Sequence, residues 1–200
     1  MRRLPRVWAS PAATVPAQRW ITRLKKTPDR GVFWSGAIDL TGDGAAELVR
    51  RAAQRVTIYE RGVAVWESPA EWRVVDMALG DPNDDGRGEL LLALWRIDPE
   101  GYERSQPYIV GYRGGEYTVM WGGRPVTAPI LEVELGDVDG DGAAELVVLE
   151  AAGEETRLAI WRWQGWSFSL LWRSAPGPYA DLRLSRAADG AWLVTAAVAH

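Results

Sequence analysis

At 200 residues, 47 % hydrophobic and 25 % charged, the chain has the length and composition of one globular domain with a buried core, not of a disordered segment. It contains no cysteine, which excludes disulfides, and its one histidine is the last residue, His200, so the usual nucleophile–base arrangements are unavailable. The formal net charge is −4, but eleven of the 27 acidic residues lie in three short loops, so the acidity is local and says little about partners.

The chain opens on Met1-Arg-Arg-Leu-Pro-Arg6, a charged start that lacks the apolar run of a signal peptide. Either the protein is not exported, or a signal has been removed ahead of Met1. Residues 4–10 read as a strand ending in Val7-Trp8-Ala9-Ser10, and residues 18–25 as a further candidate strand. The basic residues Arg2, Arg3, Arg6, Arg23, Lys25 and Lys26 have no aromatic platform among them, so a solvated surface is expected rather than a nucleic-acid site.

A first unit then predicts strands at 32–38, 47–53, 55–59 and 63–66, with an Arg61-Gly62 turn. A second predicts 73–79, 89–97, 107–113 and 116–121, turning at Gly114-Gly115. The third predicts 130–135, 145–150, 156–163 and 166–172, turning at Gln164-Gly165. Two last strands, 179–186 and 191–199, flank Asp189-Gly190. No apolar run reaches membrane-spanning length; Leu90-Leu-Leu-Ala-Leu-Trp95 is strand-sized. Tryptophan is abundant, with twelve copies, and Trp8, Trp66, Trp121 and Trp172 close successive units at spacings of 58, 55 and 51 residues. Four antiparallel strands recurring at this period predict the blades of a β-propeller, with the periodic Trp residues packing between blades. Glu132 and Glu134 share one strand face and are expected to line a solvated channel.

Between the first and second strands of each unit the chain writes nearly the same ten residues: 39–48, 81–90 and 137–146. Oxygen donors stand at positions 1, 3, 5 and 9, a backbone carbonyl is offered at position 7, and glycine makes the bend at position 6. Ca²⁺, which takes six to eight oxygens in a flexible shell, suits such a set. The third loop offers Asp137, Asp139, Asp141, the Ala143 carbonyl and Glu145. The second offers Asp81, Asn83, Asp85, the Arg87 carbonyl and Glu89. The first offers Asp39, Thr41, Asp43, the Ala45 carbonyl and Glu47, and its Thr makes it the weakest of the three. An EF-hand needs a bidentate Glu at position 12 and flanking helices. Here position 12 is Arg50, Leu92 or Val148 and the flanks are strands, so the EF-hand reading fails. The competing expectation is an Asp/Gly-rich turn that binds nothing, although stacked carboxylates repel one another without a cation. Three Ca²⁺ ions would move the net charge from −4 to about +2.

These loops, Asp-x-(Asp/Asn/Thr)-x-Asp-Gly-x-x-Glu-Leu, resemble those of the FG-GAP/VCBS repeat family, best known from integrin alpha-subunit propellers. The resemblance covers roughly residues 31–174. It implies a loop that joins the first two strands of a blade around a structural Ca²⁺, and an extracellular or periplasmic setting. The ninth residue is Glu where many members carry Asp, and no Phe-Gly or Gly-Ala-Pro pair flanks the loops.

The expected fold is therefore all-β: a small, four-bladed propeller of four-stranded antiparallel blades, in one domain. Blade 1 spans about 31–68, blade 2 about 72–123 and blade 3 about 129–174. Blade 4 is a composite of 179–199 and 3–10 that closes the ring. The rival is an open array that completes a larger ring with a second copy. The expected function is a non-enzymatic, calcium-stabilised scaffold for a protein or glycan ligand, more a monomer than a homodimer, without nucleic acid or membrane insertion. The alternative is the propeller module of a polysaccharide lyase or glycosidase, since related repeats occur in such enzymes.

Overall fold

The computed structural model describes residues 33–122, 128–187 and 192–198. These form fourteen strands and no helix. The first sheet contains β1 (Phe33–Ile38), β2 (Glu47–Ala52), β3 (Arg55–Glu60) and β4 (Val63–Glu67). The second contains β5 (Arg73–Gly80), β6 (Glu89–Ile97), β7 (Glu103–Arg113) and β8 (Glu116–Trp121). The third contains β9 (Ile130–Gly136), β10 (Glu145–Ala152), β11 (Glu155–Trp163) and β12 (Phe168–Arg173). Each is a four-stranded antiparallel meander in chain order, and β13 (Tyr179–Arg186) pairs with β14 (Trp192–Val198) in a fourth, two-stranded sheet. The candidate strand at 18–25, the strand at 4–10 that was to complete the fourth blade, and the Asp189-Gly190 turn lie outside the described residues.

The sheets stack face to face in chain order. Alternation along a strand sends successive side chains to opposite faces, and β6 uses both. Leu90, Leu92 and Leu94 pack with Val49, Val56 and Ile58 of the first sheet, while Leu91 and Ala93 pack with Leu146, Val148 and Ile130 of the third. In β10, Val147 and Leu149 point the other way, towards Leu182 and Val194 of the fourth sheet. A continuous apolar run is what a strand buried on both faces requires. Each such leucine contributes about 1.5–3 kcal/mol on burial. By contrast β2 alternates buried and exposed residues, as a strand with one covered face does.

The first strands β1, β5, β9 and β13 lie side by side along the stack. Carboxylates bind them across the sheet boundaries: Val133 N donates to Asp76 Oδ2 (3.1 Å), and Leu182 N to Glu132 Oε2 (2.8 Å). Glu132 thus ties two sheets together, a bond that its alternation did not foretell. Trp95 Nε1 donates to the Ile130 carbonyl (2.8 Å), Ile130 N to Ser105 Oγ (2.8 Å) and Tyr117 OH to Glu60 Oε1 (2.7 Å).

Of the periodic tryptophans, Trp66, Trp121 and Trp172 pack between sheets. Trp66 meets Trp72 edge-on at 6.5 Å between ring centroids, and Trp72 meets Tyr108 at 5.1 Å. Trp121 of the second sheet meets Trp163 and Phe168 of the third at 5.6 and 5.3 Å, and Trp172 packs against the cluster shared by the third and fourth sheets.

Two strands begin two or more residues from the expected position. β7 begins at Glu103, four residues before Pro107, because Glu103–Tyr108 pairs with β6 alone, leaving an edge where a residue without an N–H is tolerated. β12 begins at Phe168, because Gln164 N donates to the Ser167 carbonyl (2.8 Å) and the turn leaves Trp166 73 % exposed.

Position 8 of the repeated loop is Ala46, Gly88 or Ala144. A Cβ at Gly88 would lie 2.6 Å from the Asp39 carbonyl oxygen and 2.8 Å from Ile38. The second loop is thus pressed against the end of β1, and only glycine fits. Gly88→Ala should destabilise the protein by about 1–3 kcal/mol through overpacking against backbone, read as a lower urea midpoint with an unchanged m-value; an unchanged midpoint refutes this contact.

Candidate metal centres

Each loop is a hairpin connection between the first and second strands of its sheet, built on left-handed turns at positions 4 and 6. Gly42 and Gly44 have φ of 80° and 86°, Gly140 and Gly142 80° and 99°, and Gly86 83°. The second loop holds Asp84 at φ 53° where the others have glycine, a conformation Asp tolerates better than most side chains.

The backbone then organises the acids. Asp39 accepts from Gly42 N (2.6 Å) and Gly44 N (2.9 Å), Asp137 from Gly140 N (2.7 Å) and Gly142 N (3.1 Å), and Asp81 from Asp85 N (3.0 Å) and Gly86 N (2.7 Å). At position 5, Asp43, Asp85 and Asp141 accept from the amides of Ala45, Arg87 and Ala143 at 2.8–3.1 Å. At position 3, Asn83 accepts from Asp85 N and Asp139 from Asp141 N, both at 3.3 Å.

The ninth residue begins the second strand and is buried in every copy: Glu47, Glu89 and Glu145. Its oxygen Oε2 reaches back to the amide at position 2. Leu40 N donates to Glu47 (2.7 Å) and Val138 N to Glu145 (2.9 Å). In the second loop that residue is Pro82, which has no N–H. Glu89 is 0 % exposed and its Oε2 has no hydrogen-bond partner. A buried acceptor left without a donor costs about 1–3 kcal/mol, and burial pushes the Glu89 carboxyl up to about 7 despite its bond to Arg113. Burial also raises Glu145, against the hydrogen bond from Arg162.

The carboxylate oxygens of Asp81, Asp85 and Glu89 come within 4.8 Å of one another, as do those of Asp137, Asp139 and Glu145. Among the described residues the first loop forms no such group. Its Thr41 Oγ1 is buried without a partner. Two expected ligand oxygens, Glu89 Oε2 and Thr41 Oγ1, are therefore buried acceptors that a cation would satisfy, and the all-oxygen donor set is of the type Ca²⁺ prefers. The residues present fit the ion.

Two cations in these loops were not foreseen from the sequence. Arg162 of β11 contacts Asp139, Asp141 and Glu145, and Arg113 of β7 contacts Asp85 and Glu89. Burial alone would lower both guanidinium pKa values, but hydrogen bonds to the acids and their charges raise them instead. The signal lay in strand register. Leu146 faces Trp161, which places Arg162 opposite Glu145; Leu48 faces Tyr59, which places Glu60 opposite Glu47.

Compared with known proteins, the chain matches no family model and no curated protein. The loops are accordingly interpreted from their own geometry.

Pro82→Val would restore the missing amide beneath Glu89. A hydrogen bond to a charged group contributes about 1.5–3 kcal/mol, and losing proline's restriction of the unfolded chain costs about 0.4–1 kcal/mol. In chelator, urea unfolding should show a net gain of about 1 kcal/mol; a loss would contradict the orphaned-oxygen account.

Proposed function

We propose that the chain is a non-enzymatic, calcium-stabilised β-propeller that serves as a scaffold for a protein or glycan ligand. The observation that carries the metal part of this reading is the buried, unpartnered oxygen of Glu89 within a group of three carboxylates. Position 9 starts a central strand of the sheet, so an ion held there fastens the loop to the core instead of presenting an open coordination site. Such an ion is structural.

The propeller reading rests on the stack itself. Three complete four-stranded sheets and part of a fourth keep their first strands adjacent. A ring of four blades, the last completed from both ends of the chain, is the form that leaves fewest strand edges exposed. The scaffold reading draws on the acids outside the loops. Asp76 and Glu132 accept amides from neighbouring sheets, and Glu150 holds Arg157 and Arg173 at 2.7 Å each. These carboxylates serve the framework. Trp166, exposed on the turn between β11 and β12, offers an apolar face with a polar edge to a ligand.

With Ca²⁺ at about a hundred times its dissociation constant, each filled site should raise the melting temperature by roughly 5–10 °C over the protein in chelator, and Mg²⁺ should not reproduce the effect. A melting temperature unmoved by Ca²⁺ refutes the metal reading. A single-chain mass in solution is expected for the closed ring, whereas an obligate dimer would replace it with a larger ring built from two copies.

A further inference from the structure

Among the described residues, the two loops that gather their carboxylates do so around an arginine, and the loop that does not has none. Arg162 places one nitrogen against three acids at once: Asp139, Asp141 at 2.8 Å and Glu145 at 2.9 Å. These are positions 3, 5 and 9 of the loop, the side chains that would surround an ion. Arg113 places one nitrogen against Asp85 and, at 2.6 Å, Glu89, positions 5 and 9 of its own loop. In the first loop the residue across from position 9 is Glu60, which accepts a hydrogen bond from Tyr117.

We propose that Arg113 and Arg162 are built-in counter-cations that hold the second and third loops closed without metal, and that Ca²⁺ fills those loops only by displacing them. This rests on the reading of the loops as calcium sites and adds its regulation. Ca²⁺ lies about 2.3–2.6 Å from its oxygen ligands, so an ion bound by Asp139, Asp141 and Glu145 would occupy nearly the same point as the Arg162 nitrogen. Two positive charges cannot share it, and binding one expels the other. The expelled side chain has somewhere to go. Arg162 borders a cleft of about 290 Å³ between the second and third loops, lined also by Asn83, Asp84, Asp141 and Trp163. Each of these two loops thus has a guanidinium-closed state and an ion-filled state, and the apparent calcium affinity is reduced by the population of the closed one. The first loop, which no arginine of the described residues enters, exchanges its ion without that competition.

The experiment compares the full chain with Arg162→Gln, which keeps hydrogen bonding but loses the charge, and with Arg162→Lys, which keeps the charge but loses the planar fork. Calcium chloride is titrated calorimetrically into each chelator-stripped protein. Terbium emission sensitised by Trp163, beside Asp141 in the cleft, reports the third loop. Calcium affinity at that loop should rise by about tenfold in Arg162→Gln and by less in Arg162→Lys, while the metal-free melting temperatures fall in the same order. If Arg162→Gln folds only with metal, the lysine variant still carries the comparison. Equal calcium affinities in all three proteins would overturn the displacement and leave the calcium sites standing. Calcium binding to the variants but not to the parent would support the displacement in its strongest form. No calcium binding by any of the three would overturn both readings.

Discussion

A carboxylate buried at the foot of each second strand governs how the three complete sheets are finished. Glu47, Glu89 and Glu145 leave water to begin strands of the core, and a buried charge is tolerated only where donors or cations surround it. The first and third sheets answer that demand with an amide at position 2 of the loop preceding the strand, and the second and third with an arginine from the third strand. The loop is therefore not a connection that happens to be acidic. Its shape is set by an acid that has to be satisfied from above, while the leucine that follows is drawn into the apolar stack below.

The three copies meet the same demand differently. The third has both the amide of Val138 and the guanidinium of Arg162. The second lacks the amide because of Pro82 and leans on Arg113 alone, which is why Glu89 keeps one oxygen unpaired. The first has the amide of Leu40 but faces Glu60 where the third has arginine. Near-identity of sequence between the first and third loops thus conceals opposite electrostatic surroundings, because the neighbour that decides them comes from the third strand of the sheet.

That distance along the chain also marks how far the sequence could be read. The strands were legible because alternation, apolar runs and glycine turns are local signals. Loop positions 1, 3, 5, 6 and 9 were legible because they repeat. Arg113 and Arg162 were not, since their role depends on cross-strand register and one is two residues further along its strand than the other. Gly88 stands at a loop position that carries no ligand and no bend, and only the Asp39 carbonyl against it accounts for the glycine. Glu132 obeyed the alternation, which gave its face but not the bond its carboxylate accepts from the amide of Leu182 in the next sheet. A period of two residues specifies a face of the sheet; it does not specify what lies beyond that face.

The links through Asp76 and Glu132 run in one direction, from an acid of one sheet to an amide of the next. They give the stack a polarity, like couplings in a row of railway cars, and make each sheet's stability depend chiefly on its immediate neighbours. The second and third sheets, covered on both faces, form the middle of that row. The third sheet takes part in both of these couplings and the second and fourth in one each, so loosening the third breaks both at once. Damage therefore propagates according to position in the stack, even though the units are built to one pattern.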